Sequence, residues 1–255
     1  MNEEVKILPG TGRGTSEAGG GGVRRGAQPP PSSLRDATSP FRGGAVRDQF
    51  PAIAGWHYLD SAATAQKPQA VIDAIGNAYA RDYATVHRGI YQRSSDMTAA
   101  YEAARAAAAG LVGGQPAELV FTRGATEAIN LVARTLPKEG RQRVLLSALE
   151  HHSNIVPWQL AGYAVDVCPL TSDGRIDLDA AAELLTEQHR VVAFAHVSNA
   201  LGSILDAKRA AQIAHDAGAL LLLDGCQAAA RLAVDVGQIG CDFYAFSGHK
   251  LYGPT

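Results

Sequence analysis

The stretch Leu220-Leu221-Leu222-Leu223-Asp224-Gly225-Cys226-Gln227 sets four aliphatic residues in a row and then breaks into a carboxylate, a glycine, a thiol and an amide. A run with no polar face can be a strand only if both of its sides are covered. Similar runs occur at Glu118–Phe121, Val144–Leu146, Val191–Ala195 and Phe243–Phe246. Around them lie segments with helical spacing at 69–83, 96–111, 126–136, 154–163, 178–188 and 206–217; in the first, Val71, Ile72, Ile75 and Tyr79 share one face. Helical and strand-like segments that alternate in this way predict an α/β fold with a largely parallel, doubly wound sheet. No internal repeat at a fixed period is evident.

The composition agrees with that class. In 255 residues, 46% are hydrophobic and 19% charged, which excludes a fibrous or wholly disordered chain. Lys+Arg 23 against Asp+Glu 25 leaves a net charge of −2. Phosphate-backbone binding and anionic membrane surfaces both need a clustered basic excess, so neither nucleic acid nor a membrane is expected as a partner. No apolar run approaches the ~20 residues of a membrane span. Cys168, Cys226 and Cys241 form no C-x-x-C pair, which argues against a disulfide framework or zinc site and favours a reducing, cytoplasmic setting. Ten of the 27 glycines and five of the 12 prolines fall within residues 1–44, which reads as a disordered tail ahead of one domain from 45 to 255.

In open parallel sheets, ligands bind beyond the carboxyl ends of the strands, so the polar residues just after each apolar run matter most. After Glu118–Phe121 comes Thr122-Arg123-Gly124-Ala125-Thr126-Glu127, a glycine turn entering a helix. Its free backbone N–H groups suit a phosphate, although Thr126 could equally be a simple N-cap. No P-loop and no G-x-G-x-x-G follows a strand, so NTPase and classical dinucleotide sites are unsupported. Asp224 at the end of a buried strand needs a cation or donors. Phe243–Phe246 runs into Ser247-Gly248-His249-Lys250, which places a lysine at the same edge. An amine, an acid and a phosphate cup together are the set that pyridoxal 5'-phosphate requires.

Seven motifs extend this reading. They are Tyr58–Thr64, Val86-His87-Arg88-Gly89-Ile90, Arg123–Asn130, Glu150-His151-His152-Ser153-Asn154, His196-Val197-Ser198-Asn199, Asp224–Gln227 and Ser247–Pro254. In this order the sequence resembles the class V aminotransferase family of pyridoxal-phosphate enzymes, and within it the group II cysteine desulfurases, from about residue 50 onward. The resemblance implies the large domain of fold type I. It also implies that Lys250 holds the cofactor covalently and moves the Cα proton, that Asp224 faces the pyridine nitrogen, and that His151 stacks on the ring. Gln227 would bond the phenolic oxygen. Thr126, Ser247, His249 and the N–H of Ala125 would hold the phosphate. Asn199 and His87 would lie near the substrate.

The reaction so implied takes sulfur, or selenium, from L-cysteine or L-selenocysteine, leaving alanine and an enzyme persulfide for iron–sulfur cluster assembly. A homodimer and a sulfur-acceptor protein are the implied partners. Other class V chemistries, such as selenocysteine lyase, kynureninase-like hydrolysis or aminotransfer, share the cofactor residues, and an inactive remnant stays open too. Desulfurases of this kind use a cysteine and a carboxylate-binding arginine in their C-terminal region. No cysteine here matches that position, so the chain reads as a fragment lacking them.

Overall fold

The computed structural model describes residues 46–255; the tail expected at 1–44 lies outside them. Five strands form one parallel sheet: β1 (Arg143–Ser147), β2 (Ala164–Cys168), β3 (His189–Ala195), β4 (Leu220–Asp224) and β5 (Phe243–Ala245), in the order β2-β1-β3-β4-β5. The chain moves outward from β1 to β2, then returns to the other side of β1 and proceeds through β3, β4 and β5. That reversal puts a topological switch point between β1 and β3, where α/β sheets open a crevice beyond the strand ends.

The aliphatic runs are explained by helices on both faces. Side chains alternate along a strand, so Leu221 and Leu223 join Leu145, Val192 and Phe194 on one side, under α5 (Leu178–Leu184) and α6 (Ala207–Asp216). Leu222 joins Val144, Leu146, Val191 and Ala193 on the other, against Ile129 and Ala133 of α3 (Ala125–Thr135) and Trp158 of α4 (Val156–Leu160). Alanines at 207, 210, 211 and 214 let α6 lie close on the sheet. Asp177 and Asp206 cap α5 and α6 by accepting backbone N–H bonds from the first turn of each.

Several expectations need correction. Glu118–Phe121 is not a strand: Pro116–Glu118 forms a 3-10 turn, and no strand among the described residues pairs with 119–121. An apolar run becomes a strand only when a neighbour takes up its backbone hydrogen bonds. The helix expected at 154–163 is a 3-10 turn, His152–Asn154, followed by the five-residue α4, because Pro157 has no N–H to continue a ladder. The segment 69–83 holds α1 (Gln69–Asn77) and a wider turn at Ala78–Asp82, with Ile72, Ile75 and Tyr79 exposed. The helix expected at 96–111 starts earlier, as α2 (Gln92–Leu111). Strand β2 was not anticipated, since Asp166 interrupts its apolar pattern; that carboxylate is held by Arg143 and His189.

Candidate active site

The carboxyl ends of β1, β3, β4 and β5 carry His151, Asn199, Asp224 and Lys250 in turn, and the first turn of α3 stands beside them. Asp224 ends β4 and is 7% exposed. Its Oδ1 accepts the N–H of Cys226 at 3.0 Å, and among the described residues it makes no ion pair. Gly225 must follow it, because any Cβ there would overlap the ring of Tyr244. Lys250 closes the 3-10 turn Gly248–Lys250, which begins three residues after the end of β5.

Ser247 joins this turn to α3: its buried hydroxyl accepts the N–H of Ala125 at 2.9 Å. The Ala125 N–H expected for phosphate is therefore engaged with Ser247. The first intrahelical bond runs from Ala128 N–H to Gly124 O, so the N–H groups of Thr126 and Glu127 have no helical carbonyl to meet. Gly124, with φ 128 and ψ 178, is the N-cap. Thr126 is thus not the cap; it sits exposed one residue inside the helix.

His151 is oriented by its own turn. Its Nδ1 accepts the N–H of Ser153 at 3.2 Å and lies 2.7 Å from the Ser153 hydroxyl, which leaves the ring proton on Nε2. Burial, then the charges of His152 and Lys250, lower its pKa, so the ring is neutral at pH 7. His249 is lowered likewise, by burial and then by Lys250 and Lys67, and its Nδ1 lies 3.0 Å from Thr64 Oγ1. Gln227 is buried and donates from Nε2 to Ala62 O at 2.8 Å. Asn199 is exposed in a turn built by Ser198, whose Oγ accepts the N–H groups of Ala200 and Leu201. His87 has φ 62, its N–H donates to Thr98 Oγ1 of α2, and its Nε2 is 3.0 Å from Glu102 Oε1.

Three features were missed by sequence reasoning. The segment 62–67 is laced to the lysine turn: the His249 carbonyl accepts Ala65 N–H at 3.0 Å and Lys67 Nζ at 2.9 Å. Buried His196 lies 3.1 Å from the Tyr244 hydroxyl behind Asp224. Glu150 was quoted in a motif and given no role, yet its carboxyl is bonded on every side. The contacts of His249 with 65–67, of His196 with Tyr244 and of Glu150 with Ala195 do not show in local pattern, because each partner lies far away in the chain.

The arrangement fits pyridoxal 5'-phosphate. A buried carboxylate with one N–H donor and no cation among the described residues suits a protonated ring nitrogen, Lys250 suits a covalent anchor, and the N-terminus of α3 suits a phosphate. A parallel doubly wound sheet bearing this set along its carboxyl edge is the large-domain architecture of fold type I pyridoxal-phosphate enzymes. The family model described as aminotransferase class-V matches residues 57–255, and the chain belongs to that family, whose members depend on pyridoxal phosphate.

Proteins it resembles include several named cysteine desulfurases. The chain is 48% identical over 206 residues to a cysteine desulfurase of Dickeya dadantii, covering 78% of this chain and 50% of that protein. It is 48% identical over 220 residues to a probable cysteine desulfurase of Pseudomonas aeruginosa, covering 82% and 55%. The crystal structure of the Escherichia coli cysteine desulfurase CsdA aligns with a TM-score of 0.74 at 40% identity, covering 85% of this chain and 57% of that one. An apo cysteine desulfurase from Thermococcus onnurineus aligns at 0.77 and 35%, covering 83% and 55%. The chain spans about half the length of the curated relatives it matches.

Proposed function

We propose that the protein containing this chain is a pyridoxal-phosphate-dependent cysteine desulfurase that removes sulfur from L-cysteine to leave L-alanine, and that residues 45–255 are part of its cofactor-binding large domain. The observation that carries this is the buried Asp224 carboxylate, without a cationic partner among the described residues, on the edge that also bears Lys250 and the start of α3. Pyridoxal phosphate, when bound, supplies a ring that accepts electrons from the substrate Cα. Asp224 holds positive charge opposite its carboxylate. Lys250 anchors the cofactor and takes the Cα proton on Nζ. His151, neutral with its proton on Nε2, covers the ring. Gln227 and Asn199 serve the cofactor oxygen and the substrate carboxylate, Thr126, Ser247 and His249 the phosphate, and His87 the substrate.

Burial pushes Cys168, Cys226 and Cys241 up to about 11, 12 and 11, so all three are poor thiolates at neutral pH, and we assign the nucleophile to another part of the protein. A homodimer, a sulfur-acceptor protein, iron–sulfur cluster assembly and a cytoplasmic location belong to the same proposal. Among the described residues no helix is long and apolar enough to cross a membrane. The test is to load the full-length protein with pyridoxal phosphate and supply L-cysteine, with L-selenocysteine in a parallel arm. Stoichiometric alanine with an enzyme-bound persulfide, released as sulfide on adding a thiol reductant, is expected from cysteine. Alanine from selenocysteine alone would assign the lyase instead.

A further inference from the structure

Glu150 follows β1 at the switch point of the sheet. Its whole residue is only partly covered, but the carboxyl itself is enclosed, and it is the carboxyl's surroundings that set its chemistry. One oxygen, Oε1, accepts the hydroxyl of Ser147 at the end of β1 and, at 2.9 Å, the N–H of Ala195 at the end of β3. The other, Oε2, accepts Nδ2 of Asn154 at 2.7 Å.

The Asn154 amide cannot turn over. Its Nδ2 also donates to Ala193 O at 3.2 Å, and its Oδ1 accepts the indole N–H of fully buried Trp158 at 3.0 Å. Each oxygen of Glu150 therefore faces a donor with no alternative role. Only Ser147 is adaptable, since its hydroxyl rotates while Oγ accepts the N–H of Leu149 at 3.2 Å. A carboxyl satisfies this cage when ionised, and when protonated on Oε1 it does so by donating to Ser147. A glutamine does not, because its NH₂ would confront either Ala195 N–H or Asn154 Nδ2.

Asn154 closes the 3-10 turn His152–Asn154, whose Ser153 holds the His151 ring. We propose that Glu150 is a positioning residue for His151, tying the His151 turn to the ends of β1 and β3 and so setting where the imidazole lies over the cofactor. The inference rests on the reading of His151 as the ring-stacking residue, but the clamp itself does not need the cofactor. Burial, opposed by its three hydrogen bonds and reinforced by the charge of Asp224, raises the Glu150 carboxyl to about 7. Its protonation therefore changes where His151 is already neutral; the charges facing His151 are His152, Lys250 and Asp224.

The experiment is histidine side-chain NMR on the full-length protein, with and without pyridoxal phosphate, the His151 signals being assigned by a His151→Gln variant. In the wild type, the His151 ring nitrogens should show the Nε2–H form and a second inflection near pH 7, above the ring's own titration. Glu150→Gln should abolish that inflection and move the ring toward mixed tautomers; Glu150→Asp should retain an inflection at shifted pH. If Glu150→Gln does not fold, the wild-type titration decides, together with Ser147→Ala, which should displace the inflection. An unchanged His151 profile in Glu150→Gln, or a wild type without the inflection, overturns the proposal. Absence of a cofactor absorption band in the wild type would instead overturn the cofactor reading, while the apo NMR still judges the clamp.

Discussion

The Ser247 hydroxyl accepts the Ala125 N–H at 2.9 Å, bonding the turn that carries Lys250 to the first turn of α3 across 122 positions of sequence. In the function proposed above, Lys250 anchors the cofactor and the start of α3 holds its phosphate, and this bond links the two supports. Ser247→Ala leaves the buried Ala125 N–H unpaired, so unfolding free energy should fall by about 1–3 kcal/mol. A denaturant titration with an unchanged midpoint would show that the bond contributes nothing.

Gly124 occupies φ 128, ψ 178, a region open essentially to glycine alone, and an added Cβ would lie 3.2 Å from Ser247 Oγ. Gly124→Ala should therefore cost about 1–3 kcal/mol in backbone strain. It should also weaken pyridoxal-phosphate binding by pushing Ser247 aside. Thermal unfolding and cofactor titration check the two effects separately.

Asp224→Asn keeps the shape but removes the charge at the end of β4. Cofactor should still attach, while exchange of the substrate Cα proton into deuterated water slows about 10²–10³-fold, as on losing one preorganised electrostatic partner. Lys250→Ala should fail differently, binding cofactor that borohydride no longer fixes to the protein. Wild-type exchange in Asp224→Asn would mean that the carboxylate only caps the Cys226 N–H.

The three thiols should be silent toward iodoacetamide in the folded chain at pH 8. With its pKa pushed up to about 12, Cys226 is ionised in roughly one molecule in 10⁴ there, and Cys168 and Cys241, at about 11, in roughly one in 10³. Mass spectrometry after brief alkylation, with an unfolded control, tests this. Fast labelling of any of the three would reopen it as a nucleophile.

Stability should vary with pH through Glu150. Its carboxyl goes from 4.5 to about 7 on folding, so between those values the folded chain holds more protons than the unfolded one. Its contribution is complete below about pH 4.5 and is lost as pH rises through 7. The stability of wild type relative to Glu150→Gln should thus drop by about 2 kcal/mol between about pH 5 and 8. Asp166, held low chiefly by its bond from Arg143, works in the opposite sense, losing its contribution in acid. A difference that stays flat across this range would place the Glu150 pKa near its ordinary value.

Sequence reading found four of the five strands, because Val144–Leu146, Val191–Ala195, Leu220–Leu223 and Phe243–Phe246 are apolar on both faces, and only a doubly covered sheet accommodates that. It also marked Asp224 and Lys250 as residues at strand ends. It missed β2, an edge strand with Asp166 in its middle, and it assigned a strand to Glu118–Phe121. In both cases the deciding quantity was a neighbour's hydrogen bonds, which local pattern does not contain.

Residue types and their order along the chain were enough to determine the class, the two-faced sheet and the placement of Asp224 and Lys250 at strand ends, since hydrophobic periodicity and charge at a strand end are local properties. Tertiary structure alone decided that Ser247 meets Ala125, that His249 and Gln227 reach back to residues 62–67, and that Glu150 at the end of β1 meets Ala195 at the end of β3. Hydrogen bonds are directional and short-ranged, so partners tens of residues apart in sequence are settled only when the β2-β1-β3-β4-β5 order sets strand ends side by side.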